Sequence, residues 1–273
     1  MIKTNNLHFH YKKNQDVFTG LSFEIEHKGI IGLLGKNGIG KTTLLHLLAG
    51  LIFPKAGELK VGDQFPMQRR PEYLSKLFFL PDVPFVPQLS IAAYTKAYAP
   101  LYPDFDAEKM QGILKDFELE PKLRLDKLSL GQQKKAMMAF ALATGCSLLL
   151  LDEPTNGLDI PSKSIFRKIL VESITDAQTV ILSTHLVKDV ENILDGILIL
   201  ERGEIVLNQS VDQISQRLQF VKTPVLPEDG SVLYYEKCLE GYHILQYAET
   251  DDYTEMDIEL LFNALCHQPT LTI

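Results

Sequence analysis

The pattern of apolar and polar positions along the chain predicts a mixed fold of strands and helices. Residues 2–11 and 17–26 alternate in the manner of strands on either side of a polar turn, which predicts a hairpin at the edge of a sheet. Continuous apolar runs at 30–34, 148–151 and 179–182 are typical of central parallel strands that are covered on both faces. In doubly wound sheets ligands bind beyond the carboxyl ends of such strands, so the residues that follow these runs are candidates for a site.

A different pattern occupies residues 90–119, where apolar positions recur at helical spacing and no strand is evident. Ser90 and Asp106 can each cap a helix, and a third helix is predicted over 132–144. Because these helices interrupt a chain that otherwise alternates strands with helices, we expect an α/β fold with an all-helical insertion at about 88–143.

The last part of the chain has elements of its own. A hairpin near 197–207 and a helix at 211–217 complete a predicted main unit at 1–215. The pattern then restarts, with predicted strands at 232–235 and 243–247 and a predicted helix at 255–265. These elements predict a small α+β extension at 220–273.

Length, charge and cysteine content argue against several classes of protein. A chain of 273 residues can bury about three quarters of its unfolded surface, enough for one large domain or one large and one small domain. The formal net charge of −8 disfavours nucleic acid or anionic lipid as a main partner. The three cysteines are far apart without a C-x-x-C pair, which argues against zinc and fits a reducing cytosol, and each is expected to be a small buried apolar residue. Neither a membrane span nor a secretory signal is evident, so we expect a soluble intracellular chain.

The clearest chemical motif is G-x-x-x-x-G-K-[ST], a phosphate-binding loop between the first central strand and a predicted helix. It consists of Gly35, Lys36, Asn37, Gly38, Ile39, Gly40, Lys41 and Thr42. The glycines let backbone N–H groups form a nest for phosphate oxygens, and the start of the helix adds positive charge. Lys41 would reach the β and γ phosphates, and Thr42 would hold Mg²⁺. The pattern arises by chance in roughly one chain in a hundred of this length, so we predict nucleotide binding.

Charged and polar side chains also follow the other two central strands. Asp152 and Glu153 come directly after the second run, and His185 follows the third. Because the carboxyl ends of parallel strands lie at one edge of a sheet, these side chains and the phosphate loop are expected to meet on one nucleotide. That convergence predicts a catalytic site and not binding alone. Taken singly, a strand-end histidine such as His185 is more often structural, and Tyr11 is more often a packing aromatic.

Together these residues resemble the nucleotide-binding subunit of ABC transporters, and the resemblance covers roughly residues 1 to 215. The matching motifs are Walker A at 35–42, the signature at 128–132, Walker B at 148–153, the D-loop at 157–159 and the switch histidine His185. They occur in the order and at the spacings that are typical of the family. The resemblance implies a P-loop NTPase core of mainly parallel sheet, with an antiparallel β subdomain and the helical insertion.

The resemblance also implies a role for each site residue. Asp152 would bind Mg²⁺ through its water shell, Glu153 would be the general base for the attacking water, and His185 would contact the γ-phosphate of ATP. Tyr11 would stack on the adenine. Besides the phosphate loop, the nucleotide contacts that the resemblance implies are Tyr11, Thr43, Ser129, Gly131 and Gln132.

Ser129 and Gly131 stand at the start of a predicted helix, where serine on its own is an ordinary N-cap. In the family this element closes over ATP held by the opposite subunit. One phosphate loop and one signature per chain therefore imply a pair of nucleotide-binding domains, either a homodimer or a heterodimer. ATP binding would close the pair, and hydrolysis would release it.

Two positions depart from the family pattern. Leu130 stands where glycine is usual, and its side chain would either crowd the γ-phosphate or face away. Asp82 replaces a glutamine that is expected to touch the metal and to signal to the membrane subunit. A carboxylate can bind Mg²⁺ but cannot donate a hydrogen bond as an amide does. We therefore expect Asp82 to be a metal ligand, with slower or differently coupled turnover.

The leading hypothesis is a cytoplasmic ATPase subunit, peripheral on the inner face of the cell membrane, that uses ATP and Mg²⁺ to drive transport through separately encoded transmembrane subunits. The Leu-Ser-Leu-Gly-Gln variant of the signature and the short tail favour a bacterial exporter over an importer. Two alternatives stay open: a soluble ABC-type ATPase that acts as an assembly scaffold, and a regulatory subunit that binds ATP but barely hydrolyses it. No nucleic acid is expected as a partner.

Overall fold

The computed structural model describes residues 1–13, 15–227, 230–248 and 254–267. Its strands are β1 (Ile2–His10), β2 (Asp16–Ile25), β3 (Gly29–Leu34), β4 (Ala56–Val61), β5 (Leu77–Leu80), β6 (Leu148–Asp152), β7 (Thr179–Thr184), β8 (Gly196–Glu201), β9 (Glu204–Ser210), β10 (Leu218–Thr223), β11 (Val232–Cys238) and β12 (Gly241–Tyr247). Its α-helices are α1 (Lys41–Leu48), α2 (Pro71–Leu74), α3 (Ile91–Tyr98), α4 (Ala107–Asp116), α5 (Leu130–Ala143), α6 (Ile160–Ser173), α7 (Val211–Arg217) and α8 (Ile258–His267). Short 3-10 segments lie at Pro66–Gln68, Ala99–Leu101, Leu125–Lys127, Val187–Asp189 and Glu191–Ile193. Within the described residues, no helix has the length and apolar character that crossing a membrane requires.

The central sheet has the strand order β5-β6-β7-β3-β8-β9. Its first five strands are parallel, and β9 pairs with β8 in the antiparallel sense. Leu149 and Leu151 of β6 belong to one buried apolar cluster, whereas Leu148 and Leu150 belong to another, so this strand is covered on both faces. The continuous apolar runs are therefore central strands, and the predicted α/β fold with a mainly parallel sheet is confirmed.

A separate antiparallel sheet has the order β2-β1-β4. It contains the β1–β2 hairpin that the alternating pattern predicts. Phe9 and Phe18 of this sheet share an apolar cluster with Leu44 and Leu45 of α1 and with Leu33 of β3. This packing holds α1, the helix that follows the phosphate loop, between the two sheets.

The helices α3, α4 and α5 form the predicted all-helical stretch. Ser90 caps α3 and Asp106 caps α4, each by accepting a hydrogen bond from a backbone amide, at 3.1 and 2.9 Å respectively. Phe140 of α5 packs among aromatic rings from α3, from the connection between α3 and α4, and from β5. The third helix begins at Leu130, earlier than the predicted start at 132, because Ser129 is its N-cap.

The sequence predictions do not include the helix α6 or the strand β10. The helix α6 begins after Asp159, whose carboxylate accepts a backbone hydrogen bond at 2.9 Å, and it buries Phe166 and Ile169. Those positions are at helical spacing, so the pattern that identifies the helix is present in the sequence. The strand β10 is harder to find, because its polar residue Gln219 is buried beside apolar neighbours and the alternation is broken. Its partner β12 comes later in the chain, after β11.

Beyond α7 the chain forms a third sheet, in the order β10-β12-β11, and the helix α8. The predicted strands and helix of the extension are present, with somewhat different bounds. Phe220, Leu245 and Leu261 belong to the same buried cluster as one face of the central sheet. The extension therefore packs directly on the main unit. Residues 268–273, the end of the predicted extension, lie outside the described residues.

The three cysteines differ in their exposure. Cys146 is buried, Cys266 is half-buried and Cys238 is exposed, so the expectation of three buried cysteines is wrong for Cys238. Cys238 closes β11 at the turn into β12, where apolar packing ends. Burial raises the pKa of the Cys146 thiol to about 11.

We expect iodoacetamide at mildly alkaline pH to modify Cys238 in the folded protein and to modify Cys146 only after unfolding. The thiolate is the reactive form, and a buried thiol with a raised pKa is rarely ionised. Mass spectrometry of peptides alkylated with and without urea measures both sites. Equal modification of Cys146 and Cys238 in the native protein would contradict the burial.

Candidate active site

The carboxyl ends of β3, β6 and β7 are adjacent at one edge of the central sheet. Parallel pairing sets Leu34 opposite Thr184 and Asp152 opposite Ser183. The residues that follow these strands therefore start from neighbouring positions. The structure brings together the phosphate loop, the Asp152–Glu153 pair and His185, as the strand-end argument expects.

The buried carboxylate of Asp152, at the end of β6, is hydrogen-bonded to the phosphate loop. Thr42 Oγ1 donates a hydrogen bond to Asp152 Oδ2 at 2.8 Å, and Ser183 Oγ donates one to Asp152 Oδ1 at 2.5 Å. Asp152 is only 3% exposed, and each of its oxygens has a hydroxyl partner. A hydroxyl and a carboxylate oxygen thus lie side by side, and both are oxygen ligands of the kind that Mg²⁺ prefers.

The phosphate loop depends on glycine at specific positions. Gly38 and Gly40 have φ angles of 79° and 116°, a left-handed conformation that other residues rarely adopt. A Cβ atom on Gly40 would also lie 2.9 Å from Val17 Cγ1. No side chain caps the N-terminus of α1, so the first amides of this helix are available to an anion. Within the loop Lys36, Asn37 and Gly38 are exposed.

Lys41 lies between the loop backbone and the carboxylates. Its Nζ donates hydrogen bonds to the carbonyl oxygens of Gly35 at 2.6 Å and Lys36 at 3.2 Å. It also lies 3.9 Å from Glu153 Oε1. Burial lowers the pKa of Lys41, while Glu153 and Asp152 oppose that change. A buried cation in this position can bind the oxygens of a phosphate chain.

Glu153 has an unusual backbone conformation, and His185 contacts its carboxylate. Its φ angle is 46°, in the left-handed region that is strained for a residue with a side chain. His185 Nδ1 lies 2.8 Å from Glu153 Oε1, and the amide of His185 donates to Oε2 at 3.4 Å. The carboxylate is mostly buried, at 13% exposure of the side chain. The predicted base and the predicted switch histidine are therefore in direct contact.

Tyr11 is an exposed aromatic residue beside the first turn of α1. The residue is 57% exposed, which is more than burial in the core would leave. Its hydroxyl lies 3.1 Å from Thr43 Oγ1, and its ring meets the edge of Phe9 at 4.9 Å between centroids. A flat, solvent-facing ring next to the phosphate loop is a suitable surface for stacking a base.

The signature residues form a capping box at the start of α5. Ser129 Oγ accepts a hydrogen bond from the amide of Gln132 at 3.3 Å, and Gln132 Oε1 accepts one from the amide of Ser129 at 3.1 Å. A Cβ atom on Gly131 would lie 2.9 Å from the carbonyl oxygen of Gly157. Leu130 is 43% exposed. The side chains of Ser129 and Gln132 each bond to the backbone amide of the other residue, and they are not part of the group around Thr42, Asp152 and Glu153.

Asp82 is engaged with a buried lysine that the sequence analysis did not single out. Lys134 Nζ donates a hydrogen bond to Asp82 Oδ1 at 2.7 Å, and Asn156 Nδ2 donates to the same oxygen at 3.1 Å. Lys134 is 1% exposed. Lys134 lies four positions before the buried Met138 and therefore on the same, core-facing side of α5. A charged residue at such a position is the signal in the sequence that could have identified it.

The extension reaches the edge of this site. A cavity of about 500 Å³ lies between the start of the phosphate loop, the segment after β7 and the helix α8. His185 and Phe262 are among the residues that line it. Lys188 Nζ lies 2.9 Å from Glu259 Oε2 of α8, which ties the segment after the switch histidine to the extension. The sequence did not predict this placement of α8.

Comparison with known proteins identifies the family. A family profile described as ABC transporter matches residues 18–156. Over 229 residues the chain is 31% identical to the SkfA peptide export ATP-binding protein SkfE of Bacillus subtilis. This alignment covers 81% of this chain and 94% of that protein. Over 251 residues it is 34% identical to the energy-coupling factor transporter ATP-binding protein EcfA2 of Lactococcus lactis. That alignment covers 81% of this chain and 83% of the relative.

Solved structures agree with the fold. The structure of an ATP binding subunit of an ABC transporter aligns with a TM-score of 0.70 at 22% identity and covers 78% of this chain and 91% of that one. CbiO1 of Clostridium perfringens, part of the ABC transporter complex cbiONQ, aligns with a TM-score of 0.63 at 23% identity and covers 78% of this chain and 89% of that one. With its family profile, its relatives and its strand-end site in agreement, the chain belongs to the ABC transporter family of ATP-binding proteins.

Proposed function

We propose that this chain hydrolyses ATP in a magnesium-dependent reaction and couples that reaction to export through separately encoded membrane subunits. It would act on the cytoplasmic face of the cell membrane. The observation that carries the proposal is the group formed by Thr42, Asp152, Glu153 and His185 at the ends of adjacent parallel strands. The name of the similar protein SkfE, a peptide export protein, supports the direction of transport.

In this proposal the phosphate loop and α1 hold the triphosphate of ATP. Backbone amides of the loop and the free N-terminus of α1 surround the phosphate oxygens. Lys41 leaves the loop carbonyls and binds the β and γ phosphates, because a phosphate oxygen is a stronger acceptor than a neutral carbonyl. Tyr11 supplies the surface for the adenine ring.

Thr42 and Asp152 are the residues that would hold Mg²⁺, and their adjacent oxygens fit it. When bound, Mg²⁺ supplies positive charge that offsets the charge developing on the phosphate oxygens. Asp82 is a poorer candidate than the sequence alone suggests, because its charge is paired with Lys134. Thr42 and Asp152, and not Asp82, are therefore the residues that would hold the metal.

Glu153 is the proposed general base. A water molecule attacks the γ-phosphorus, the bond from that phosphorus to the bridging oxygen breaks, and ADP leaves with phosphate as the second product. The proton of the water passes to the carboxylate of Glu153. His185 holds that carboxylate through its ring and its amide, and it contacts the γ-phosphate.

A second nucleotide-binding domain completes the proposed site. The N-terminus of α5, with Ser129 and Gly131, would close over ATP bound to the opposite subunit. Leu130, which is 43% exposed beside them, would lie in that interface and contact the partner. The pair is a homodimer or a heterodimer, and ATP is the ligand that joins its halves.

Fractionation of native membranes tests the transport part of this proposal. We expect the chain to sediment with the membrane and, after mild detergent extraction, to co-purify with a protein of several membrane spans. Recovery in the soluble fraction alone, bound to no membrane protein, would contradict the proposal and favour an assembly scaffold. Transport of a labelled cargo by inverted vesicles that contain the purified complex would then establish the direction.

A further inference from the structure

Lys134 of α5 is a buried cation with partners from two other segments of the chain, the residue Asp82 after β5 and the turn at 153–156 after β6. Its Nζ donates hydrogen bonds to Asp82 Oδ1 at 2.7 Å, to the carbonyl oxygen of Asn156 at 2.8 Å and to the carbonyl oxygen of Glu153 at 3.0 Å. Only 1% of the residue is exposed. A lysine ammonium has three donors, so this set of acceptors satisfies all of them.

The carbonyl of Glu153 is the informative partner, because the backbone at that residue is strained. Its φ angle of 46° is held on both sides. Lys134 and the amide of Asn156 donate to the carbonyl, at 3.0 and 3.1 Å, and Ser183 accepts hydrogen bonds from the amide at 3.1 Å. The same backbone directs the Glu153 carboxylate to His185 at 2.8 Å. Strained conformations persist only where surrounding contacts over-determine them.

The position of Lys134 on α5 adds a second link. Ser129, the residue proposed to meet ATP on the opposite subunit, is the N-cap of this helix, and Lys134 lies little more than one turn further along. A rigid helix therefore joins the proposed contact for the second copy to the backbone of the proposed base. Asp82 supplies the negative charge that balances the ammonium in this buried place.

We propose that Lys134 is a positioning residue for ATP hydrolysis, which holds the strained backbone of Glu153 so that its carboxylate faces the γ-phosphate. Asp82 is the counter-ion of Lys134 and acts through it. This inference rests on the proposed hydrolytic function. It concerns the rate of the chemical step and not the binding of ATP.

The first test compares Lys134→Met with Lys135→Met, a change at the neighbouring, partly exposed lysine of the same helix. A misplacement of the base by about 1 Å costs about 100-fold in rate, so we expect kcat of Lys134→Met to fall by about that factor. ATP affinity should stay within about threefold, because no contact with the phosphate loop is lost. Lys135→Met should match the wild type in both. A folded Lys134→Met with wild-type kcat would overturn the inference.

A matched pair of double variants keeps the test valid if the single variant fails to fold. Lys134→Gln with Asp82→Asn and Lys134→Met with Asp82→Asn both remove the two paired charges. Only the first keeps a side-chain donor at position 134 for the Glu153 carbonyl, which in both variants also accepts from the amide of Asn156. We expect kcat of the double variant with glutamine at position 134 to exceed that of the double variant with methionine there by about tenfold. Equal kcat values would mean that the contact with Glu153 has no part in hydrolysis.

Amide hydrogen exchange gives a readout that does not need turnover. Loss of the Lys134 donor should speed exchange at residues 152–157 and leave α1 unchanged. Wild type and Glu153→Gln are measured in the same phosphate-release assay. An inactive wild type would overturn the proposed function, whereas an active wild type with unchanged exchange and kcat in the methionine variants would overturn the role of Lys134 alone.

Discussion

Replacing Glu153 with glutamine is expected to lower steady-state phosphate release by about 100- to 10,000-fold, the range that a positioned general base contributes. The amide keeps the size of the side chain but cannot accept the proton of the attacking water. The hydrogen bond from the amide of His185 can still be made, so the site should stay assembled. ATP affinity should remain close to that of the wild type, because the phosphate loop is intact. Phosphate release at saturating Mg²⁺ and ATP measures the effect.

Glu172→Gln is the matched control, because Glu172 is exposed on α6 and pairs only loosely with Lys168 at 3.9 Å. It should hydrolyse ATP at the wild-type rate. Equal rates for wild type and Glu153→Gln would mean that Glu153 is not the base. If both were also close to zero, the protein would be a regulatory subunit that binds ATP without hydrolysing it.

The second large effect is expected from Lys41→Met, which should weaken ATP binding by about 10- to 100-fold. A hydrogen bond to a charged group contributes about 1.5–3 kcal/mol, and Lys41 is the buried cation of the phosphate loop. The thermal stability of the folded protein should be unchanged or higher. Burial lowers the pKa of Lys41, so its charged form is less favourable in the folded chain than in the unfolded chain, and methionine removes that cost.

Titration with a fluorescent ATP analogue in the presence of Mg²⁺ measures this change, and a thermal melt checks the fold. Lys115→Met, at an exposed position on α4, serves as the control and should bind like the wild type. Unchanged affinity in a folded Lys41→Met protein would show that the loop does not hold the phosphates through this side chain.

Local patterns were enough to predict most of the scaffold. The uninterrupted apolar residues of β3, β6 and β7 identify central strands, because only a strand covered on both faces has no polar side. Once those strands are parallel, the residues after them must share an edge of the sheet, and Asp152, Glu153 and His185 are found together there. The helix caps Ser90 and Asp106 were also evident, since a cap depends on neighbours within one turn.

Features that depend on distant contacts could not be predicted in the same way. Lys134 contacts Asp82 and the turn that contains Glu153 and Asn156, which are distant from it in sequence, and nothing local to any of these residues indicates the contact. The positive φ of Glu153 is likewise imposed by surrounding hydrogen bonds and not by residue type. The placement of α8 beside the switch histidine follows from the shared core, which is a property of the folded chain as a whole.

The central claim is that the loop ending at Thr42 binds the triphosphate of ATP together with Mg²⁺. Isothermal titration of the purified protein with ATP, in Mg²⁺ and then in excess EDTA, tests it most directly. We expect saturable binding of one ATP per chain in Mg²⁺ and much weaker binding once Mg²⁺ is removed. No saturable binding in Mg²⁺, or the same affinity with and without it, would show that this loop is not a site for ATP with Mg²⁺.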